Sequence, residues 1–264
     1  MFRIPTCGVI AAAAALLFAG AAQAQTYRLN YEVEVLGVVV LGSASYEVTS
    51  TDSRYAVRAN VRTSGLARLF DQTEINATTS GTMSGAGLTW GRYDLSHAYA
   101  GKFRRTRMER AGGAVTSEIN PAYRDFGDPP ANAAHQRASY DPLSALFALG
   151  RQVGAARNCR GSVLVFDGVQ HYRLAVSGGA QTQFNGGGYR GPAITCQFRS
   201  EPIAGFDMTA EERARIPTGE ATFAVPQDGG FAPMLRLSVP TPLGAAVVNI
   251  RDYQRVDQGA RASS

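Results

Sequence analysis

Residues 26–35 read TYRLNYEVEV. Tyr27, Leu29, Tyr31, Val33 and Val35 face one way, and Arg28, Asn30, Glu32 and Glu34 face the other. Successive side chains of an extended chain point to opposite sides, so this alternation is the pattern of a strand with one face in a core and one in water. The same period recurs along the chain. Gly37 breaks the first run and 38–49 makes a second strand; Ser50-Thr51-Asp52-Ser53 is a turn cluster. Residues 54–63 alternate again, with Tyr55, Val57, Ala59 and Val61 inward and Arg54, Arg58 and Arg62 outward. Further strands are predicted at 72–82, 88–95, 98–110 and 114–119, the last two joined across Gly112-Gly113. Residues 162–166 and 170–176 flank the hairpin signal Asp167-Gly168, Gly186-Gly187-Gly188 reads as a flexible loop, and 193–199, 221–225, 234–239 and 245–253 complete the set.

Two segments break the period. Residues 120–139, with Pro121, Pro129 and Pro130, read as a loop. Residues 140–150, YDPLSALFALG, then read as a helix. Asp141 suits the N-cap, Pro142 the first helical position and Gly150 the position after the end. Leu143, Leu146, Phe147 and Gly150 form one stripe. A helix this apolar must lie buried against a sheet or plug a barrel. Thr209-Ala210-Glu211-Glu212 is a capping box opening a second short helix. There is no internal repeat. The expectation is an all-β, mainly antiparallel fold: an open or partly closed barrel with one inserted helix and a second short one. A single domain covers 25–256, followed by a frayed tail at 257–264.

The chain has 264 residues, 45% hydrophobic and 18% charged. That is too apolar and too weakly charged for a disordered chain, and long enough for a real core. Residues 1–24 read as a secretory signal peptide: Arg3, then an apolar run over 8–20, then Ala22-Gln23-Ala24 as the cleavage site. The competing reading is a retained anchor, but the run is shorter than the ~20 residues a span needs. Cys7 opens the run instead of following it, which argues against lipoprotein anchoring. Cleavage after Ala24 places the chain in the periplasm, and no later segment is apolar enough to span a membrane. Removing Cys7 leaves Cys159 and Cys196, an even pair in an oxidising compartment. Their disulfide would be worth roughly 3 to 4 kcal/mol. Two buried free thiols are the alternative.

Chemistry is sparse. His97, His135 and His171 are isolated in sequence, no Ser nucleophile elbow or phosphate loop is present, and no Cys/His spacing suits a metal. No catalytic residue, metal or cofactor is assigned. The arginines are the one polar candidate, because 25 of the 26 basic residues are Arg. Lys102, Arg104 and Arg110 share one face of a strand, and Arg105 and Arg107 the other. Such a strand belongs at a sheet edge or on a wet groove. Arg54, Arg58, Arg104 and Arg105 are the candidate contacts for phosphate or carboxylate head groups; the competing reading is a solvated face. The inward Tyr, Val and Leu either fill a core or line a cavity for an acyl chain.

The opening strand, the Gly-rich second strand through Gly42, the Tyr140-Asp141-Pro142-Leu143-Ser144-Ala145-Leu146 helix start, and Val165-Phe166-Asp167-Gly168 with Tyr172 and Cys196 together resemble the domain of unknown function 3108 family of exported bacterial proteins. The resemblance covers most of the chain after residue 24 and implies a β-rich envelope protein with no established activity, so it supplies no site residue. The leading functional expectation is a non-enzymatic periplasmic protein that binds or carries a hydrophobic or amphipathic envelope component such as a lipid. The alternatives are a scaffold of envelope assembly with a protein partner, and a hydrolase using His171 or His135. An exported chain is not expected to bind nucleic acid.

Overall fold

The opening alternation is realised over residues 27–31, while 32–35 are half-buried on both faces. Strand β1 (Ala24–Val35) buries Tyr27, Leu29 and Tyr31 and exposes Arg28 and Asn30. It pairs on one side with β2 (Val39–Ser50) and on the other with β13 (Gly244–Gln258), the last strand of the chain. Side-chain burial on one face only therefore extends in both directions from β1. The computed structural model describes residues 24–37, 39–64, 68, 72–242 and 244–258. The expected leader falls on residues outside that set, except Ala24, which opens β1.

From β2 the sheet continues through β3 (Arg54–Thr63), β4 (Glu74–Ser84), β5 (Gly87–Tyr99), β6 (Lys102–Ala111) and β7 (Ala114–Asn120). Helices α1 (Ala133–Ala138) and α2 (Pro142–Ala156) follow, then β8 (Gly161–Phe166), β9 (His171–Gly186), β10 (Tyr189–Ala204), helix α3 (Ala210–Ala214), β11 (Gly219–Ala224), β12 (Met234–Thr241) and β13. Among the described residues these make one 13-stranded sheet in the order β7-β6-β5-β4-β3-β2-β1-β13-β12-β11-β10-β9-β8. Every strand pairing is antiparallel. Two meanders thus meet at the β1–β13 pair, and β7 and β8 are left as edges.

The sheet curls but does not close. At the seam, the turn after β8 lies against β6 and β7: a Cβ on Gly168 would sit 2.8 Å from Thr106 Cγ2. Tyr140 adds one residue to the β8 edge, its N–H donating to Leu164 and its carbonyl accepting from Phe166. Helix α1 occupies the segment read from sequence as a loop. Asn132 caps it, accepting from the backbone N–H of Ala134 and His135. Its six residues are too few to show a helical period in the sequence.

Helix α2 starts as expected, with Asp141 capping and Pro142 at its first position. It does not stop at Gly150. It runs six residues further, to Ala156, and Arg157 takes the left-handed C-cap with φ 50°. Gly150 and Gly154 are positions of close approach: a Cβ would meet Phe231 Cε2 at 2.5 Å and the Gly230 carbonyl oxygen at 1.9 Å. Three further expectations are corrected. The predicted strand 98–110 is divided by a turn at Ala100-Gly101. The Gly186-Gly187-Gly188 loop is a tight hairpin turn joining β9 and β10, which both extend well past their predicted ends. The distal part of β9 is exposed on both faces over 177–183, so no apolar alternation marks it in the sequence. Strand β13 continues through Gln258, into the segment expected to fray, because Asp257 and Gln258 pair with Gln25 and Ala24.

Two apolar clusters form the interior. The larger gathers Tyr27, Leu29, Val48, Val57, Trp90, Tyr93, Met108 and the Phe147 and Phe231 rings. The other lies under β8–β11 and holds Cys159, Val163, Val165, Cys196 and Phe223. Within it Cys159 and Cys196 are disulfide-bonded, with Cα atoms 5.4 Å apart.

Candidate functional site

Helix α2 fills one half of the curled sheet. Its Asp141 cap is fully buried, and its Oδ1 accepts from the backbone N–H of Leu143 and Ser144, both at 3.0 Å. Thr79 Oγ1 donates to Asp141 Oδ2 at 2.9 Å, and Ser144 Oγ lies 2.7 Å from the Tyr55 hydroxyl. Burial pushes the Asp141 carboxyl above its usual range, and these hydrogen bonds pull it back down. The D-P-L-S start of the helix is therefore a polar peg set into β3 and β4. Towards its other end Arg151 Nη2 donates to the Gly85 carbonyl in the β4–β5 turn, and Arg157 donates to the Gln227 carbonyl. The helix thus closes the end of the sheet where the β4–β5 turn lies.

The other half is not filled. A cavity of about 240 Å³ lies between α2 and the inner faces of both meanders. Leu29, Tyr31, Ala44, Tyr46, Ala59, Val61 and Val248 line one wall. Phe198, Phe223 and Met234 line the other, with Phe231 and Ala232 beside them and Leu143, Leu146 and Leu149 of α2 below. Leu146 is 38% exposed, the one residue of the helix stripe that faces open space. Both tyrosine hydroxyls on the wall are occupied: Tyr31 donates to the Met234 carbonyl at 2.8 Å and Tyr46 to the Leu143 carbonyl at 3.0 Å. The lining therefore offers hydrocarbon contact and almost no hydrogen bonding. Its volume exceeds the ~150 Å³ that takes benzene in an engineered apolar cavity, and falls below the ~300 Å³ at which drug-sized pockets begin. It suits one hydrocarbon chain segment.

The four candidate arginines are not brought together. Arg54 and Arg58 stand exposed on the outer face of β3, opposite the face that buries Tyr55 and Val57. Arg104 and Arg105 lie three strands away on β6. Arg105 donates two hydrogen bonds to Asp94, at 2.9 and 2.6 Å. Arg104 stacks 3.6 Å from the Tyr123 ring centroid and donates to the Pro121 carbonyl. None of the four lines the apolar cavity. Strand β6 is not an edge either, since β7 covers it. Its outer face is a charge-balanced ladder in which Arg92 meets Glu109 at 2.8 Å and Arg107 meets Asp94 at 3.5 Å. Pairs this exposed contribute about 0–1 kcal/mol each.

Arg110, on the inner face of β6, does something its sequence position did not signal. It stacks 4.9 Å from the Trp90 ring centroid, and its two terminal nitrogens donate to the Gln136, Arg137 and Ser139 carbonyls. Trp90 Nε1 donates to the same Ser139 carbonyl at 2.8 Å. Together they hold the end of α1 in the seam. Only the fold could reveal this, because the acceptors are backbone atoms 26 to 29 residues away.

Two of the three isolated histidines also meet at the seam. The His135 and His171 rings stack with centroids 4.5 Å apart. Ser139 Oγ donates to the His135 carbonyl at 2.7 Å and lies 2.9 Å from His171 Nδ1. Its single proton is thus committed to the carbonyl, so Nδ1 donates to it. Burial, then the nearby His135, lowers the His171 pKa. Ser139 is 2% exposed, so its hydroxyl, although within reach of His171, is closed off from solvent.

Comparison with known proteins bears on the fold and the family. No curated protein matches the chain. Among solved structures it is similar to the crystal structure of a beta-barrel-like protein of the domain of unknown function DUF1849 from Brucella abortus. That match has a TM-score of 0.51 and 10% identity, and covers 88% of this chain and 98% of that one. At such identity it speaks for the fold alone. A family model described as a protein of unknown function, DUF3108, matches residues 26–250, from the third residue of β1 to the middle of β13, and the chain therefore belongs to the DUF3108 family.

Proposed function

We propose that this is an exported, periplasmic protein that binds the hydrocarbon tail of an amphipathic envelope component. The observation that carries the reading is the cavity above α2: apolar but for Ser45 and two tyrosines, sized for a chain segment, with its tyrosine hydroxyls already bonded. A filled interior presents no such surface, and an apolar lining left facing solvent forgoes the free energy of its burial. The candidate arginines lie outside it, so selection inside is for hydrocarbon and not for charge, and the head group stays in solvent. Burying one tail methylene yields about 0.8 kcal/mol, so a segment of five to seven yields roughly 4–6 kcal/mol before the cost of association, which sets an upper bound on affinity of about tens of micromolar.

The test is a titration with a fluorescent fatty acid. Saturable binding is expected, and Ala44→Phe, which places a ring in the cavity, should weaken it at least tenfold. Equal affinity in the variant would sink the reading. Native mass spectrometry of the protein from envelope extracts should show a bound amphiphile; a clean apo mass together with a stable protein partner would favour the scaffold alternative. N-terminal sequencing of the periplasmic protein should begin at Gln25.

A further inference from the structure

The exposed apolar side chains are not scattered. Among the described residues seven large hydrophobic side chains are exposed: Leu36, Val39, Phe103, Tyr123, Phe126, Leu146 and Val256. Leu36 and Val39 lie on the β1–β2 turn, Phe103 is the second residue of β6, and Tyr123 and Phe126 follow the end of β7. By the register of the sheet these five share one end, opposite to that closed by Arg151. The cavity reaches towards the same end, since Ala44 and Val61 on its wall are paired two residues from the last β2–β3 pair.

The β1–β2 turn is the telling element. Leu36 and Gly37 both have positive φ, 55° and 71°. A turn position in this left-handed region favours Gly or Asn, because Asn tolerates it and Leu does not. Leu36 nevertheless occupies it with its side chain 59% exposed, and its Cδ2 leans over Gly244 of the neighbouring hairpin. Neither the backbone conformation nor the exposure serves the fold. Residues 35–42 carry no polar or charged side chain at all.

We propose that this end of the barrel docks on a lipid bilayer, with the β1–β2 turn inserting among the acyl chains and Phe103, Tyr123 and Phe126 seated at the interface. The exposed groups run from β2 to the end of β7, five strand spacings or ~24 Å. They form an interrupted rim instead of the contiguous 20–30-residue patch of a stable protein interface. A deformable surface meets such a rim all at once. Aromatic side chains suit the boundary between head groups and hydrocarbon, and Arg104 stacked on Tyr123 can keep its charge in the head-group layer. Because the inserting turn is uncharged, binding should persist in high salt.

The experiment is flotation of the chain from Ala24 onward, which contains every described element, with phosphatidylcholine vesicles. The wild type should float with the vesicles in 0.1 and 0.5 M NaCl. Leu36→Asn combined with Val39→Thr should cut the bound fraction at least tenfold while the melting temperature stays level or rises, since Asn fits the turn better. Val256→Asp, at the opposite end, should leave flotation unchanged. Undiminished flotation of the double variant, or no flotation of the wild type, would overturn the proposal. So would a wild-type dimer that the double variant dissociates, since a second copy would then be the occupant. The vesicles contain no labelled fatty acid and Ala44→Phe should float normally, so this result and the tail-binding result fail separately.

Discussion

Replacing Gly154 by Ala tests whether α2 is seated as described. In an exposed helix Gly→Ala gains about 0.5–1 kcal/mol from backbone entropy. Here the new methyl would lie 1.9 Å from the Gly230 carbonyl oxygen and 3.1 Å from the Ala232 nitrogen, both backbone atoms of one packed segment. That segment is held to the helix by the Ala232 N–H, which donates to the Gly150 carbonyl at 3.1 Å. It is also held by Phe231, packed between Tyr27 and Phe147 with ring centroids 5.3 and 5.1 Å away. Relief therefore requires the helix and residues 230–232 to separate. Overpacking of this kind costs typically 1–3 kcal/mol, and losing the 232–150 hydrogen bond adds about 1 kcal/mol. After the propensity gain, a net loss of about 1–3 kcal/mol is expected. For a domain of this size that lowers the melting temperature by roughly 3–10 °C. Gly150→Ala should act in the same direction, less strongly, because its nearest neighbour is a ring edge. Urea unfolding followed by circular dichroism gives the free energy. A stabilised Gly154→Ala protein would show that the helix stands clear of 230–232, and the cavity built on that contact would have to be redrawn.

Other outcomes follow from the same geometry. Asp141→Asn should be tolerated, because one amide oxygen still caps Leu143 and Ser144; Asp141→Ala should lose about 1–2 kcal/mol through the missing cap, the Thr79 hydroxyl keeping the Arg92 carbonyl as its acceptor, measured by urea titration. His171 has a lowered pKa, so below the ordinary His value near 6.5 the unfolded chain takes up a proton that the native state refuses. Stability should fall as pH drops from about 6.5 towards the native pKa, and His171→Gln should flatten that part of a melting-temperature profile. Replacing Cys159 and Cys196 together by Ser should cost roughly 3–4 kcal/mol, the value of a 37-residue loop, and non-reducing digestion of the wild type should yield the cross-linked peptide.

The strands were readable where one face is buried. In β1 and β3 alternation alone identifies the inward set, because the pleat converts sequence parity directly into side. Where both faces meet water, as over 177–183 of β9, parity carries no signal and the strand extends past its predicted end. The start of α2 was legible because capping is local chemistry between Asp141 and the next three residues. Its end was not, because Gly150 looks the same in sequence whether it stops a helix or admits a neighbouring chain. The arginine rows were legible as rows. Their partners were not, since Asp94 and the Ser139 carbonyl are brought to Arg105 and Arg110 by the sheet.

The sequence alone determined the class of the fold and the orientation of its side chains, because period, turn chemistry and caps act over a few residues. It also supplied an even cysteine pair and the absence of a catalytic motif. Tertiary structure decided what lies inside the curl of the sheet. The placement of α2 against Phe231 and Ala232 leaves about 240 Å³ unfilled, and the register of the strands gathers Leu36, Val39 and Phe103 at one end. Volume and proximity depend on segments up to two hundred residues apart meeting in space, and no local pattern encodes that.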